Sequence, residues 1–232
     1  MSLKIMNKMN GENNREYAYR VLRYNIMTLQ LLPGEVLNEG ELSQKLKMSR
    51  TPVHEAIIML KEEALVNVYP QSGSKISLID IGILNEGFFL RSTIEPEIIM
   101  RIEKNISTKY LEKLRTNLQE QEKVLGKEDE IDNFFKLDDK FHQVLYDAAE
   151  MNHIWHAMKR VSSHYDRVRY LDAIMNKRDL SQILNEHKNI FNILLVGRND
   201  EINLIRFYDE HLATYRKSFQ KILENYTDFF NI

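Results

Sequence analysis

Residues 134–152, FFKLDDKFHQVLYDAAEMN, set Asp138 and His142 one helical turn apart in a stripe otherwise made of Phe134, Phe135, Phe141 and Leu145. Two further histidines occupy the same kind of position. His187 lies in ILNEHKNIFNILL, a turn after Ile183 and Leu184 and a turn before Ile190 and Phe191. His211 lies in LIRFYDEHLATYRKSF, with Phe207 and Tyr208 before it and Tyr215 after. Burying three imidazoles and a carboxylate without partners costs several kcal/mol. A shared divalent cation satisfies all four, because neutral imidazole ligates Zn, Ni, Cu or Fe and the carboxylate offsets part of the charge. Four protein ligands leave positions on an octahedral ion for water or a bound anion. Spacing alone leaves a second reading open, three unrelated core histidines. His153, His156 and His164 show no such coincidence and read as surface or packing residues. Asp139, about 100° round the helix from Asp138, reads as a solvent-facing charge.

The elements that must position these groups are mostly helical. The 232 residues are 43% hydrophobic and 28% charged, with only eight glycines and four prolines, which favours helices over a strand-and-turn protein. No apolar run approaches the ~20 residues of a membrane span, and the first residues lack a signal-peptide core, so a cytoplasmic protein is expected. There are no cysteines, so any metal must be held by histidine and carboxylate. The net charge of −2 divides unevenly: residues 1–79 hold 10 Lys+Arg against 8 Asp+Glu, and the rest hold 22 against 26.

Apolar periodicity predicts an amphipathic helix over 12–32, stopped by Pro33 and Gly34, and a short helix in NEGELSQKLKM with Leu42 and Leu46 inward. Ser49 then N-caps a helix carrying Pro52 in its first turn. LVNVYP and SKISLID read as strands around a QSG turn. Helix, short helix, helix, hairpin is the order of a winged helix-turn-helix, placed at 10–79. Beyond it come helical patterns at 80–104, 107–125, 129–149, 151–173, 179–197 and 199–225, with breaks at NIST, LGKED, EMN, MNKRD and GRND. Pro96 should kink or split the first of them. The fold expected is mainly α: the winged helix plus an all-helical bundle of six to seven helices over 80–228.

A helix-turn-helix presents the N-terminal end of its second helix to the major groove. Here that end reads SRTPVHEA. Arg50 can contact guanine or phosphate bidentately, and Thr51 offers a hydroxyl beside Ser49. At the wing tip Gly73 makes the turn and Lys75 is placed for phosphate or the minor groove. For SRTP alone an ordinary surface helix with a capping serine is the alternative.

The stretch LLPGEVLNEGELSQKLKMSRTPVHEAIIMLKEEALV resembles the winged helix of the GntR family of bacterial transcription regulators, continuously from about Tyr17 to Leu78. The resemblance implies that Arg50 and Thr51 hold operator-contacting positions. It also implies that His54 replaces a second arginine, Ala64 a glycine, and Ser72 the wing's basic residue. Asp138, the FH at 141–142, the EH at 186–187 and His211 followed by Leu212 are similar to the FCD effector domain of the FadR-type branch, over roughly 84–222. That likeness implies a metal held by Asp138, His142, His187 and His211. LRSTIEPE matches an LRxxxE pattern, so Arg91 and Glu95 are implied at the effector; a structural i,i+4 pair is the alternative. Asn152 matches a helix-ending asparagine, for which capping is the simpler role.

Together these residues describe a ligand-responsive regulator that binds a palindromic double-stranded operator as a homodimer. A divalent metal, zinc first and nickel, manganese or iron otherwise, and a small organic acid would act in the helical half. The alternative is a metal-dependent enzyme using the three histidines and the aspartate. No separate general base accompanies the ligands, and an enzyme leaves the winged helix unexplained.

Overall fold

In the computed structural model, which describes residues 3–175, 179–197 and 203–231, the chain opens with α1 (Asn14–Met27), β1 (Val36–Leu37), α2 (Glu39–Leu46), α3 (Arg50–Glu62), β2 (Val66–Tyr69), β3 (Gly73–Ile76) and β4 (Ile79–Asp80). It continues with α4 (Ile81–Ile102), α5 (Thr108–Val124), α6 (Ile131–Ala148), α7 (Asn152–Val161), α8 (Ser163–Met175), α9 (Ser181–Val196), α10 (Leu204–Leu212), α11 (Arg216–Asn225) and β5 (Phe230–Asn231). These elements form two compact units. One takes in the described residues up to Asn85 with 163–170 and 221–231; the other takes in those of 86–162 and 171–220.

The first unit contains the winged helix. Its core is made by Val21, Leu22 and Ile26 of α1, Leu42 and Leu46 of α2, Val53, Ile57 and Leu60 of α3, and Val66 and Ile76 of the hairpin. Each such side chain stabilises the unit by about 1.5–3 kcal/mol. The strands run antiparallel in the order β1-β3-β2, with Val66 opposite Ile76 and Tyr69 opposite Gly73. α1 stops five residues short of the expected end. Thr28 turns its hydroxyl back onto the Tyr24 carbonyl, Leu29 takes a φ of 54°, and the backbone folds in so that Leu31 N–H reaches Asn25 O. Burial of Leu29 and Leu31 in that turn wins over helix continuation to Pro33.

α3 ends in a Schellman motif: Leu65 N–H bonds Leu60 O and Ala64 N–H bonds Lys61 O, with Ala64 at a φ of 57°. This is the turn for which a glycine is the usual residue. Ala64 O in turn accepts from Nε2 of His164 (3.0 Å), while Nδ1 of the same ring accepts from the Asp80 N–H (2.8 Å). β4 pairs in parallel with β5, and Asn231 Nδ2 donates to Asp80 Oδ2; β5, two residues long, carries no periodicity by which it could be foreseen.

His164 therefore belongs to the packing class of histidines, and its two bonds need the neutral ring. Burial, together with the nearby Arg167 guanidinium, pushes its pKa down from 6.5 to about 4. Between those values the unfolded chain binds a proton that the folded chain excludes, so stability falls as pH falls through this window, by up to about 3 kcal/mol at about 1.4 kcal/mol per unit. His164→Gln should remove one proton's share of the slope in urea unfolding measured from pH 7 to pH 4. An unchanged slope would mean that His164 is charged in the folded protein.

Along the chain beyond the winged helix the helical segments match expectation in place but not in number. The helix expected over 151–173 is two, α7 and α8, divided at the buried Ser162–Ser163 pair, where Ser162 Oγ turns to Met158 Sδ. The one expected over 199–225 is α10 and α11, joined by a 3-10 turn at Ala213–Tyr215. The middle of the expected MNKRD break and most of GRND lie outside the described residues. Pro96 lies inside α4 without dividing it. No helix among the described residues is long and apolar enough to cross a membrane.

Candidate metal centre and nucleic-acid interface

Ser49, Arg50, Thr51 and His54 are all exposed at the start of α3, and Gly73 and Lys75 are exposed in the wing. Ser49 holds the N-cap position, yet its side chain makes no capping bond. Pro52, the third helical residue, has no N–H to offer a capping oxygen, which removes one of its two usual donors. His54 is tied to the neighbouring helix, with Nδ1 2.9 Å from Oε1 of Glu39. The Arg50 guanidinium lies close to Gly40, where an added Cβ would come within 3.3 Å of Nη2. At the wing, Gln71 and Gly73 take φ of 61° and 86°, and Ser72 N–H bonds Tyr69 O to close the turn.

α6, α9 and α10 bring the three inward histidines together. The ring centroids of His142, His187 and His211 form a nearly equilateral triangle with sides of 5.2, 5.5 and 5.3 Å. One ligating atom from each lies within 4.8 Å of the others, and all three side chains are buried. Asp138, 1% exposed, places Oδ1 3.5 Å from His187 Nε2. Phe141 stacks on His187 at 4.3 Å between centroids.

Each ring turns its other nitrogen, Nδ1, outward to an acceptor. His187 Nδ1 is 2.9 Å from Gln121 Oε1, and Gln121 is itself fixed by Asn117, which bonds the Leu137 carbonyl. His211 Nδ1 is 2.6 Å from Glu186 Oε2. His142 Nδ1 is 3.0 Å from Glu95 Oε2, an ion-pair distance without hydrogen-bond alignment. An acceptor at Nδ1 fixes the tautomer that leaves the Nε2 lone pair for a metal. Nε2 of His142 is buried and makes no hydrogen bond among the described residues. Burial holds His211 below the ordinary histidine range, keeping it neutral, the ligating form. Three buried imidazoles oriented in this way, with the Asp138 carboxylate beside His187, offer donors of the kind that suit a divalent cation.

Arg91 and Glu95 form the i,i+4 pair, Nε to Oε1 2.7 Å, with both side chains 1% exposed. Burial alone would raise the Glu95 carboxyl; Arg91 and His142 instead hold it well below the usual range. Glu95 therefore sits behind His142, a role the LRxxxE pattern did not reveal. Asn152 is not brought to the centre: it is the exposed first residue of α7, with Met151 in the capping position. The end of α6 is made instead by Glu150 at a φ of 60°, with Met151 N–H on Tyr146 O and Glu150 N–H on Asp147 O. Asp139 is solvent-facing and pairs with Lys159 at 2.7 Å. His153 and His156 are exposed.

As functional residues Gln121, Tyr146 and Tyr208 escaped the sequence reading, and Glu186 entered it only within the EH pair. Gln121 and Glu186 are outer partners of the histidines. Tyr146 and Tyr208 are fully buried, and their hydroxyls make no hydrogen bond among the described residues. A polar residue on a core-facing stripe was the available signal, Gln121 following Asn117 one turn on.

A winged helix followed along the chain by a helical unit with a buried histidine cluster is the architecture of a DNA-binding transcriptional regulator. The profile described as "Bacterial regulatory proteins, gntR family" matches residues 14–76, and that described as "FCD domain" matches residues 86–213. The chain belongs to the GntR family of DNA-binding transcriptional regulators, in the branch that carries an FCD domain. It is 32% identical over 216 residues to the HTH-type transcriptional repressor RspR of Escherichia coli (strain K12), covering 93% of each chain. It is 33% identical over 193 residues to an HTH-type transcriptional regulator in an unstable DNA locus of Streptomyces ambofaciens, covering 83% of this chain and 80% of that one. Among solved structures, E. coli McbR/YncC shares the fold with a TM-score of 0.73 at 18% identity, over 92% of this chain and 98% of that one.

Proposed function

We propose that this regulator is metal-dependent and responds to a small organic acid. Asp138, His142, His187 and His211 hold one divalent cation, zinc first and nickel, manganese or iron as alternatives. Two copies act as a homodimer on a palindromic operator in the cytoplasm. The observation that carries the reading is the histidine triangle, with an acceptor behind every ring. When bound, such an ion supplies positive charge and open coordination positions for a carboxylate oxygen. The chain's own residues do the rest. Gln121, Glu186 and Glu95 hold the rings in register, Phe141 keeps water from His187, and Arg91 presents a guanidinium to the effector carboxylate. Operator contacts fall to Arg50 and Thr51, with Ser49, Gly73 and Lys75 on phosphates; His54, engaged by Glu39, is the weakest of the set. The name of RspR favours repression as the default sense. The relatives' names speak against the enzyme alternative.

The test combines metal analysis with operator binding to the protein's own promoter region. Wild-type protein should carry about one equivalent of metal, and Asp138→Ala and His187→Ala should lose it together with the response to acids. Metal-free wild-type protein, with both variants unchanged in stability and response, would sink the reading. Arg50→Ala should weaken operator binding by about 1–3 kcal/mol if Arg50 reads a base; unchanged anisotropy titrations would remove it from the interface. Gln121→Ala should lower metal affinity about 10–100-fold by freeing the His187 ring, which competition against a chelating dye measures directly. Wild-type affinity in that variant would show that Gln121 does not orient His187.

A further inference from the structure

Tyr146 lies one turn beyond His142 on α6, so Asp138, His142 and Tyr146 share one stripe at four-residue spacing. Tyr208 lies one turn before His211 on α10, its ring 6.0 Å from that imidazole. Both phenols are 0% exposed, and neither hydroxyl has a hydrogen-bond partner among the described residues. Tyr17, by contrast, spends its hydroxyl on the Met6 carbonyl. Phenylalanine would fill the same space without stranding a donor, so packing does not account for either hydroxyl. Burial, with Glu95 next, raises both phenols, which stay protonated donors at neutral pH; Tyr146 in turn acts on Tyr208, so the two belong to one neighbourhood.

We propose that Tyr146 and Tyr208 form the hydrogen-bonding end of the effector site, and that the effector is a monocarboxylate bearing neutral hydroxyl or carbonyl oxygens. The inference rests on the effector reading above and deepens it. The charges around the phenols select this class. Arg91 is the cation acting there, and it is already tied to Glu95, while Asp138 and Glu186 add negative charge beside the histidines. One carboxylate matches the metal and Arg91. A second would sit beside Glu95 with only neutral donors to meet it. Neutral oxygens suit the phenols, which can donate to a carbonyl and both donate to and accept from a hydroxyl.

Three six-carbon acids separate the possibilities: gluconate, hexanoate and adipate, titrated calorimetrically into the full-length metal-loaded protein. The wild type should bind gluconate at least about tenfold more tightly than hexanoate or adipate, the size of one hydrogen bond. Tyr146→Phe/Tyr208→Phe should lose that preference while keeping its metal content, melting temperature and hexanoate affinity. Hexanoate or adipate binding as tightly as gluconate, or a preference that survives in the double variant, overturns the tyrosine assignment and leaves the effector reading standing. Failure of all three acids to bind the metal-loaded wild type overturns both.

Discussion

Under the proposed metal site, divalent metal should stabilise the wild type and His187→Ala should abolish that stabilisation. A ligand that binds only the folded state stabilises it by RT ln(1 + [L]/Kd), about 2.7 kcal/mol at a hundredfold excess over the dissociation constant. The wild type should therefore melt several degrees higher in zinc than in EDTA. The variant should melt at one temperature in both, because it lacks the imidazole whose Nε2 faces Asp138 at 3.5 Å. A separate loss appears without metal: Gln121 Oε1 loses its donor and Phe141 its stacking partner. The comparison of zinc with EDTA within each protein cancels that loss. A variant that gains as much from zinc as the wild type would remove His187 from the ligand set.

Glu95→Ala should be the most destabilising single change in the helical unit, at about 3–5 kcal/mol. The carboxylate carries two duties, Oε1 on Arg91 at 2.7 Å and Oε2 beside His142 at 3.0 Å, and it is 1% exposed. Its removal leaves a buried guanidinium without this counter-charge and releases the His142 ring. Because the Glu95 pKa is depressed, the stability it confers is present above about pH 4.5 and is lost as pH falls below that value. Urea unfolding at pH 7 and pH 4 tests both statements: the gap between wild type and variant should be wide at pH 7 and narrower at pH 4. Replacing both partners, Arg91→Met with Glu95→Leu, should recover most of the loss, since an apolar pair of similar volume is often neutral. A Glu95→Ala protein as stable as the wild type would show that Arg91 is compensated from elsewhere.

The winged helix was legible nearly residue by residue because its signals are local. Periodicity, Pro52 near a helix start and the QSG turn each act within a few residues. The boundaries that moved did so where burial overrode them, as at Leu29 and Leu31, or where serines divided a continuous apolar stripe, as at Ser162–Ser163. The ends of α2, α3 and α6 fell within two residues of the expected ones although the usual marker of such ends is missing from all three. Lys47, Ala64 and Glu150 take the left-handed position that sequence rules reserve for glycine or asparagine, so the marker was absent while the conformation was present. Asn152 drew attention by its type, although the turn it was credited with closes two residues earlier, at Glu150.

The sequence by itself determined that three histidines and Asp138 face inward on their own helices, because a 3.6-residue period is enough to assign a face. It could not determine that those faces meet. His142, His187 and His211 stand 45 and 24 residues apart in the chain, and only the packing of α6, α9 and α10 turns three inward imidazoles into one cluster. The partners behind the rings, Glu95, Gln121 and Glu186, and the stranded hydroxyls of Tyr146 and Tyr208, were invisible for the same reason. A hydrogen bond depends on distance and direction between side chains far apart in the chain, and no spacing along the sequence encodes either.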